Sequence, residues 1–158
     1  MYAIPWQVAL FVSLPEAFLI VILGFALFNL EISCKKALTV SIINATTIYF
    51  VRQLQIVFGL HTLIAIIVMV IACMWLTKLH PWNIFTSILT GFVIMGVLQS
   101  LLLPICFAIT GTSSENLIAN PLLNIAFFVP IAALAAVLLF SVKKYKLYIF
   151  DLKKTGDR

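Results

Sequence analysis

Two ionisable side chains stand inside otherwise apolar stretches of this sequence: Glu16, directly after Pro15, and Arg52, followed by Gln53 and Gln55. A charge within a membrane-spanning helix costs about 2.5–3.5 kcal/mol on insertion scales, so each is a functional candidate by default. Together they offer an acceptor carboxylate and a fixed cation, the chemistry of an ion pair or of a polar ligand held between them. His61, Gln99, Ser100 and Asn124 add donors and acceptors of neutral type.

The elements that must position these groups are long apolar helices. Of 158 residues only 9% are charged and 64% are hydrophobic, whereas a soluble domain carries roughly a quarter of its residues as charges. A helix needs about 20 apolar residues to cross the hydrocarbon core. Segments near 7–30, 36–58, 61–77, 83–108 and 120–142 meet that length. The continuous runs Phe18 to Leu23 and Ile64 to Ala72 lack the alternation of a β-barrel. The sequence therefore predicts an all-α polytopic membrane bundle of about five transmembrane helices over 1–142, with a basic juxtamembrane tail over 143–158. The stretch 36–77 counts as two helices only if the chain breaks near Phe58-Gly59-Leu60. The first apolar run lacks a basic leader and is too long for a signal peptide, so it reads as a retained helix.

Charge sets the orientation. Lys35, Lys36, Lys78 and the tail lysines fall on one side of a five-helix chain, and basic loops favour the cytoplasm. The N-terminus is then outside and the C-terminus on the cytoplasmic side of the membrane. The tail alternates basic residues with Tyr145, Leu147, Tyr148, Ile149, Phe150 and Leu152, the pattern of a short interfacial helix. Retention and lipid attraction account for its charge, so no nucleic-acid partner is expected.

On this topology Glu16 lies about 13 Å below the outer end of the first helix, and Arg52 about 24 Å up the second. The two depths overlap, and an ion pair between them is geometrically reasonable. His61, Gln99, Ser100 and Asn124 fall in the same outer layer. The inner half is almost purely apolar, with Thr39, Asn44, Thr77 and Thr90 as mild exceptions. Two readings stay open: a pocket facing outward, with Glu16, Arg52, Gln53, His61, Gln99 and Asn124 as ligand-binding or signalling residues, or a network that merely fixes helix register. Pro15, Pro104 and Pro130 allow kinks. Gly91, Gly96, Ala132 and Ala136 read as close-packing positions for helices of this chain or of a dimer. Trp6, Trp75 and Trp82 suit the membrane interfaces.

Enzymatic readings lack parts. There is no Ser/His/Asp set, no HExxH, no pair of intramembrane aspartates and no phosphate loop. Cys34, Cys73 and Cys106 are scattered, with no CxxC and no His at ligand spacing. No catalytic residue, metal or cofactor is expected.

The stretches Leu14-Pro15-Glu16-Ala17, Tyr49-Phe50-Val51-Arg52 and Phe58-Gly59-Leu60-His61-Thr62 together resemble the membrane-embedded N-terminal region of Firmicutes sensor histidine kinases with GHKL-type ATPase domains, the group that includes AgrC-like receptors. The resemblance spans nearly the whole sequence. It implies that Glu16, Arg52 and His61 bind or transmit a signal. The family pattern continues into a phospho-accepting helix and an ATP-binding domain, and neither is in this sequence. The resemblance thus implies a sensor-like module acting through a protein partner, or a remnant. The alternatives are a small substrate-binding subunit of a transporter and a non-catalytic assembly protein.

Overall fold

A computed structural model describes residues 5–53, 59–112, 116 and 120–152. Among them the regular structure is helical, in five long helices: α1 (Trp6–Leu27), α2 (Cys34–Gln53), α3 (Leu60–Thr77), α4 (Pro81–Thr110) and α5 (Pro121–Tyr145). The links are short, so sequential helices run antiparallel. Helix ends carry local stop signals. Asn29 (φ 53) closes α1, with the Leu30 N–H donating to Phe25 O at 2.9 Å. Gly111 (φ 62) closes α4, and the Asn120 side chain caps α5 by accepting from the Leu122 and Leu123 N–H groups. Gly59 (φ 92) precedes α3, so the 36–77 stretch forms two helices. Gln55 and Phe58 lie outside the described residues.

Four of the five helices are long and apolar enough to cross a membrane. The exception is α2, where Lys35, Lys36, Arg52 and several amide and hydroxyl residues dilute the apolar content. Five long helices stand where the sequence predicts about five spans, and among the described residues four of them meet the length and composition of a membrane span. Still, α2 packs against both α1 and α3. Two of its polar residues, Ser41 and Asn44, are buried, while Leu38, Ile42 and Phe50 are exposed beside Thr39 and Thr46. Exposed apolar side chains of this kind suit a helix whose outer face meets lipid. The same holds on α3, where Leu63, Ile67, Ile71 and Trp75 form an exposed stripe at four-residue spacing.

The hub is α1. Every residue from Val21 to Leu27 is buried, as expected of a helix apolar all round, and α1 packs on α2, α4 and α5. Its contact with α4 is backbone to backbone. A Cβ on Gly24 would stand 2.2 Å from the Ser87 carbonyl oxygen, and one on Gly91 would stand 2.3 Å from that of Ile20. Gly91 is thus a close-packing position, and Gly24 is its unanticipated counterpart. Gly96 is not: a Cβ there meets nothing within 4 Å. On α5 the buried small residue is Ala135; Ala132 packs at the edge of the core and Ala136 is exposed.

Hydroxyl groups along the helices satisfy themselves. Ser41 donates to Ala37 O (2.7 Å), Thr47 to Ile43 O (2.8 Å), Thr77 to Cys73 O (2.7 Å) and Ser87 to Asn83 O (2.8 Å). Such bonds to the carbonyl four residues back leave no cost in a medium without water.

The tail departs from expectation. The last helix runs past residue 142 to Tyr145 and stops at Lys146 (φ 53). Residues 147–152 are not an interfacial helix; they fold back onto the link after α1. The Ile149 N–H donates to Leu27 O (2.8 Å), the Leu152 N–H to Phe28 O (3.2 Å), and Asn29 Nδ2 to Asp151 Oδ1 (3.0 Å). These donors satisfy carbonyls that the end of α1 leaves without intrahelical partners. Lys153, Lys154 and Arg158 lie outside the described residues.

Candidate functional site

Four helices each present one stripe to a common cavity of about 320 Å³. From α1 come Ser13, Glu16, Ala17 and Ile20; from α2, Asn44, Ile48 and Arg52; from α3, His61, Ala65 and Met69; and from α4, Phe92, Met95, Gly96 and Gln99. Each set follows the three- and four-residue spacing of a single helix face. The cavity lies toward the end of the bundle that holds the start of α1, the end of α2 and the start of α3. By rise per residue, Glu16 is about 15 Å from the start of α1, and Gln99 about 16 Å from the end of α4. The two groups therefore meet at one level.

Local backbone structure sets up Glu16. Just before it, Ala9–Ser13 form a π-helical turn, and the Leu14 N–H donates to Ala9 O. Pro15 lacks a donor, and its ring crowds the carbonyl four residues back; a widened turn accommodates both. Such π turns recur at functional sites. By contrast, Pro104 and Pro130 lie inside helices that continue past them.

Glu16 and Arg52 face the same cavity and interact electrostatically. The carboxylate also takes a hydrogen bond at Oε1 from Gln99 Nε2. Gln99 sits on α4, which packs backbone to backbone with α1, whereas Arg52 comes from α2 on another side. Arg52 Nε and Asn44 Oδ1 are buried and have no hydrogen-bond partner among the described residues. Asn44 is only 5% exposed. Buried polar atoms left unpaired cost about 1–3 kcal/mol each, so the cavity contains one donor and one acceptor that no group among the described residues satisfies. Every hydroxyl noted above is self-satisfied, which sets these two atoms apart.

The remaining predicted residues divide. His61 and Gln99 line the cavity with Glu16 and Arg52. Gln53 is exposed at the end of α2 and does not reach it. Asn124 lines a separate cavity of about 160 Å³ with Phe127 and Phe128, and Gln99 borders both cavities. Gly96 lines the site rather than packing helices. Sequence reasoning set Asn44 aside as a mild inner-half exception; its signal was the spacing Asn44, Ile48, Arg52, which places all three on one face.

No protein-family model, curated protein or solved structure matches this chain.

Proposed function

We propose that this chain is a membrane-embedded sensor or regulatory module that binds a small signal in the polar cavity and acts through a protein partner. The observation that carries the reading is the cavity itself: opposite charges on α1 and α2, with a buried donor and a buried acceptor that no group among the described residues satisfies. A ligand there touches four helices at once, so its binding free energy favours one packing of the bundle over another. At the other end, the hydrogen-bonded tail ties α5 to the end of α1, a route from the hub helix to a cytoplasmic partner. The basic flanks support an N-terminus outside and a C-terminus inside, in a bacterial cell membrane. The resemblance to AgrC-like sensor regions supports a partner in two-component signal transduction, and exposed Ala136 offers a homodimer surface. No catalytic step is required.

A solute-binding subunit of a transporter uses the same cavity. The tight α1–α4 contact through Gly24 and Gly91 favours it in one respect, because it gives a site closed on the side away from the membrane surface. Purification from the native membrane in mild detergent, with mass spectrometry of co-purifying proteins and small molecules, separates the two. A kinase or response regulator supports the sensor reading. A transport ATPase, with uptake of a labelled solute, replaces it. Wild-type behaviour after joint replacement of Glu16, Asn44 and Arg52 leaves only an assembly role.

A further inference from the structure

The cavity also constrains the chemistry of its ligand. Its polar groups are of two opposed kinds. On one side Glu16 has a second carboxylate oxygen beyond the one that Gln99 occupies, and Asn44 Oδ1 is an acceptor without a donor. Both call for hydrogen on the ligand. On the other side Arg52 Nε is a donor without an acceptor. His61 and Thr62, in the first turn of α3, line the cavity as well, and the positive end of an 18-residue helix favours an anion there. Gln99 holds the carboxylate, and Glu16 and Arg52 both line the cavity and interact electrostatically.

Charge balance narrows the choice. The fixed pair sums to zero, and charges in a low-dielectric site are costly unless each is matched. Glu16 and Arg52 offset each other; a simple cation or a simple anion entering between them would add a net charge that the pair does not match. A molecule carrying both charges matches both and leaves the site neutral. The rest of the lining, with Ile20, Ile48, Met69, Phe92 and Met95, is apolar. At about 30 Å³ per water in the liquid, 320 Å³ corresponds to a small molecule, at the lower end of the range of roughly 300–1,000 Å³ for ligand pockets.

We infer that the site binds a small zwitterion with an apolar substituent, its primary ammonium toward Glu16 and Asn44 and its anionic group toward Arg52. The inference rests on the reading of this cavity as a binding site. Two sources share that chemistry: a free α-amino acid with an apolar side chain, and the head of a phosphatidylethanolamine lipid.

The test uses the full chain in nanodiscs of pure phosphatidylglycerol, with thermal unfolding and equilibrium binding as readouts. One arm titrates L-leucine, L-methionine and L-phenylalanine, each beside its methyl ester, which lacks the anion, and its N-acetyl form, which lacks the ammonium. A second arm dopes the disc with phosphatidylethanolamine or with its N-acylated form. The expected result is binding in one arm, at least tenfold weaker for every single-charge analogue. Glu16→Gln then weakens the zwitterion at least tenfold, as does Arg52→Gln, while Gln53→Ala, outside the cavity, leaves binding unchanged. The analogue comparison needs no mutant, so poor folding of a variant does not blunt it. Equal binding of zwitterion and analogues overturns the inference, and so does silence in both arms. If a singly charged molecule co-purifies with the wild type and is lost from Asn44→Leu, the zwitterion fails while the binding-site reading stands.

Discussion

Glu16 brings a carboxylate to a helix–helix contact, where its recorded partner is the amide of Gln99. Bonds to charged groups are worth more than neutral ones, and stripping one partner from a buried pair costs about 1–3 kcal/mol. Gln99→Leu should therefore lower stability in detergent by that amount, and the double variant Glu16→Leu/Gln99→Leu should recover much of it. A double-mutant cycle of unfolding free energies reads the coupling, expected at about 0.5–3 kcal/mol for residues in contact. The parallel cycle between Glu16 and Arg52 should couple more weakly, because they interact electrostatically without the hydrogen bond that Gln99 makes. Strong coupling in the second cycle and none in the first would reverse this assignment. Polarity and position along the helix made Glu16, Arg52, His61 and Gln99 legible as one layer. Which of them touch was not legible, because contact depends on how α1, α2 and α4 are rotated about their axes.

At the scale of elements, α1 and α4 approach so closely that added side-chain volume meets backbone. Gly24→Ala and Gly91→Ala each place a Cβ within 2.2–2.3 Å of a carbonyl oxygen, which the helices relieve only by separating. Overpacking of this kind costs about 1–3 kcal/mol. Gly96→Ala, with nothing near its Cβ, should be near neutral or slightly stabilising, since alanine is the better helix former. Thermal unfolding of the three variants checks the order. The tail makes a separate unit. Asn29→Ala or Asp151→Ala removes one side-chain bond of about 0.5–1.5 kcal/mol. Amide exchange at Ile149 and Leu152 should then quicken while that of Val21 to Leu27 stays slow. Unchanged exchange in the tail would show that the backbone bonds alone hold it.

For the whole molecule, the solvent is the governing fact. Exposed Ile67, Ile71, Val93, Leu101 and Ile109 would be costly in water at about 25 cal/mol per Å², and hydrocarbon removes that cost. The proposed orientation has a direct check in the cysteines. Cys34 is exposed at the start of α2, while Cys73 is fully buried. In a variant retaining Cys34 alone, a membrane-impermeant maleimide should label inverted vesicles and leave intact cells unlabelled. Labelling from outside the cell would place the N-terminus inside.

Length and apolar content by themselves determined the class of this protein, because helices are the structures that satisfy their own backbone along one apolar segment in lipid. The local signal at Gly59 marked a helix boundary for the same reason: caps and turns act over a few residues. Tertiary structure alone decided the rest. It gave Glu16 a hydrogen-bond partner in Gln99, brought Asn44 into the cavity, moved Asn124 and Gln53 out of it, and folded the tail back onto α1. Each of those outcomes rests on the rotation and approach of helices distant in sequence. In a bundle whose surfaces are apolar on nearly every side, sequence periodicity leaves those rotations undetermined, and packing of small residues and pairing of a few polar atoms select among them.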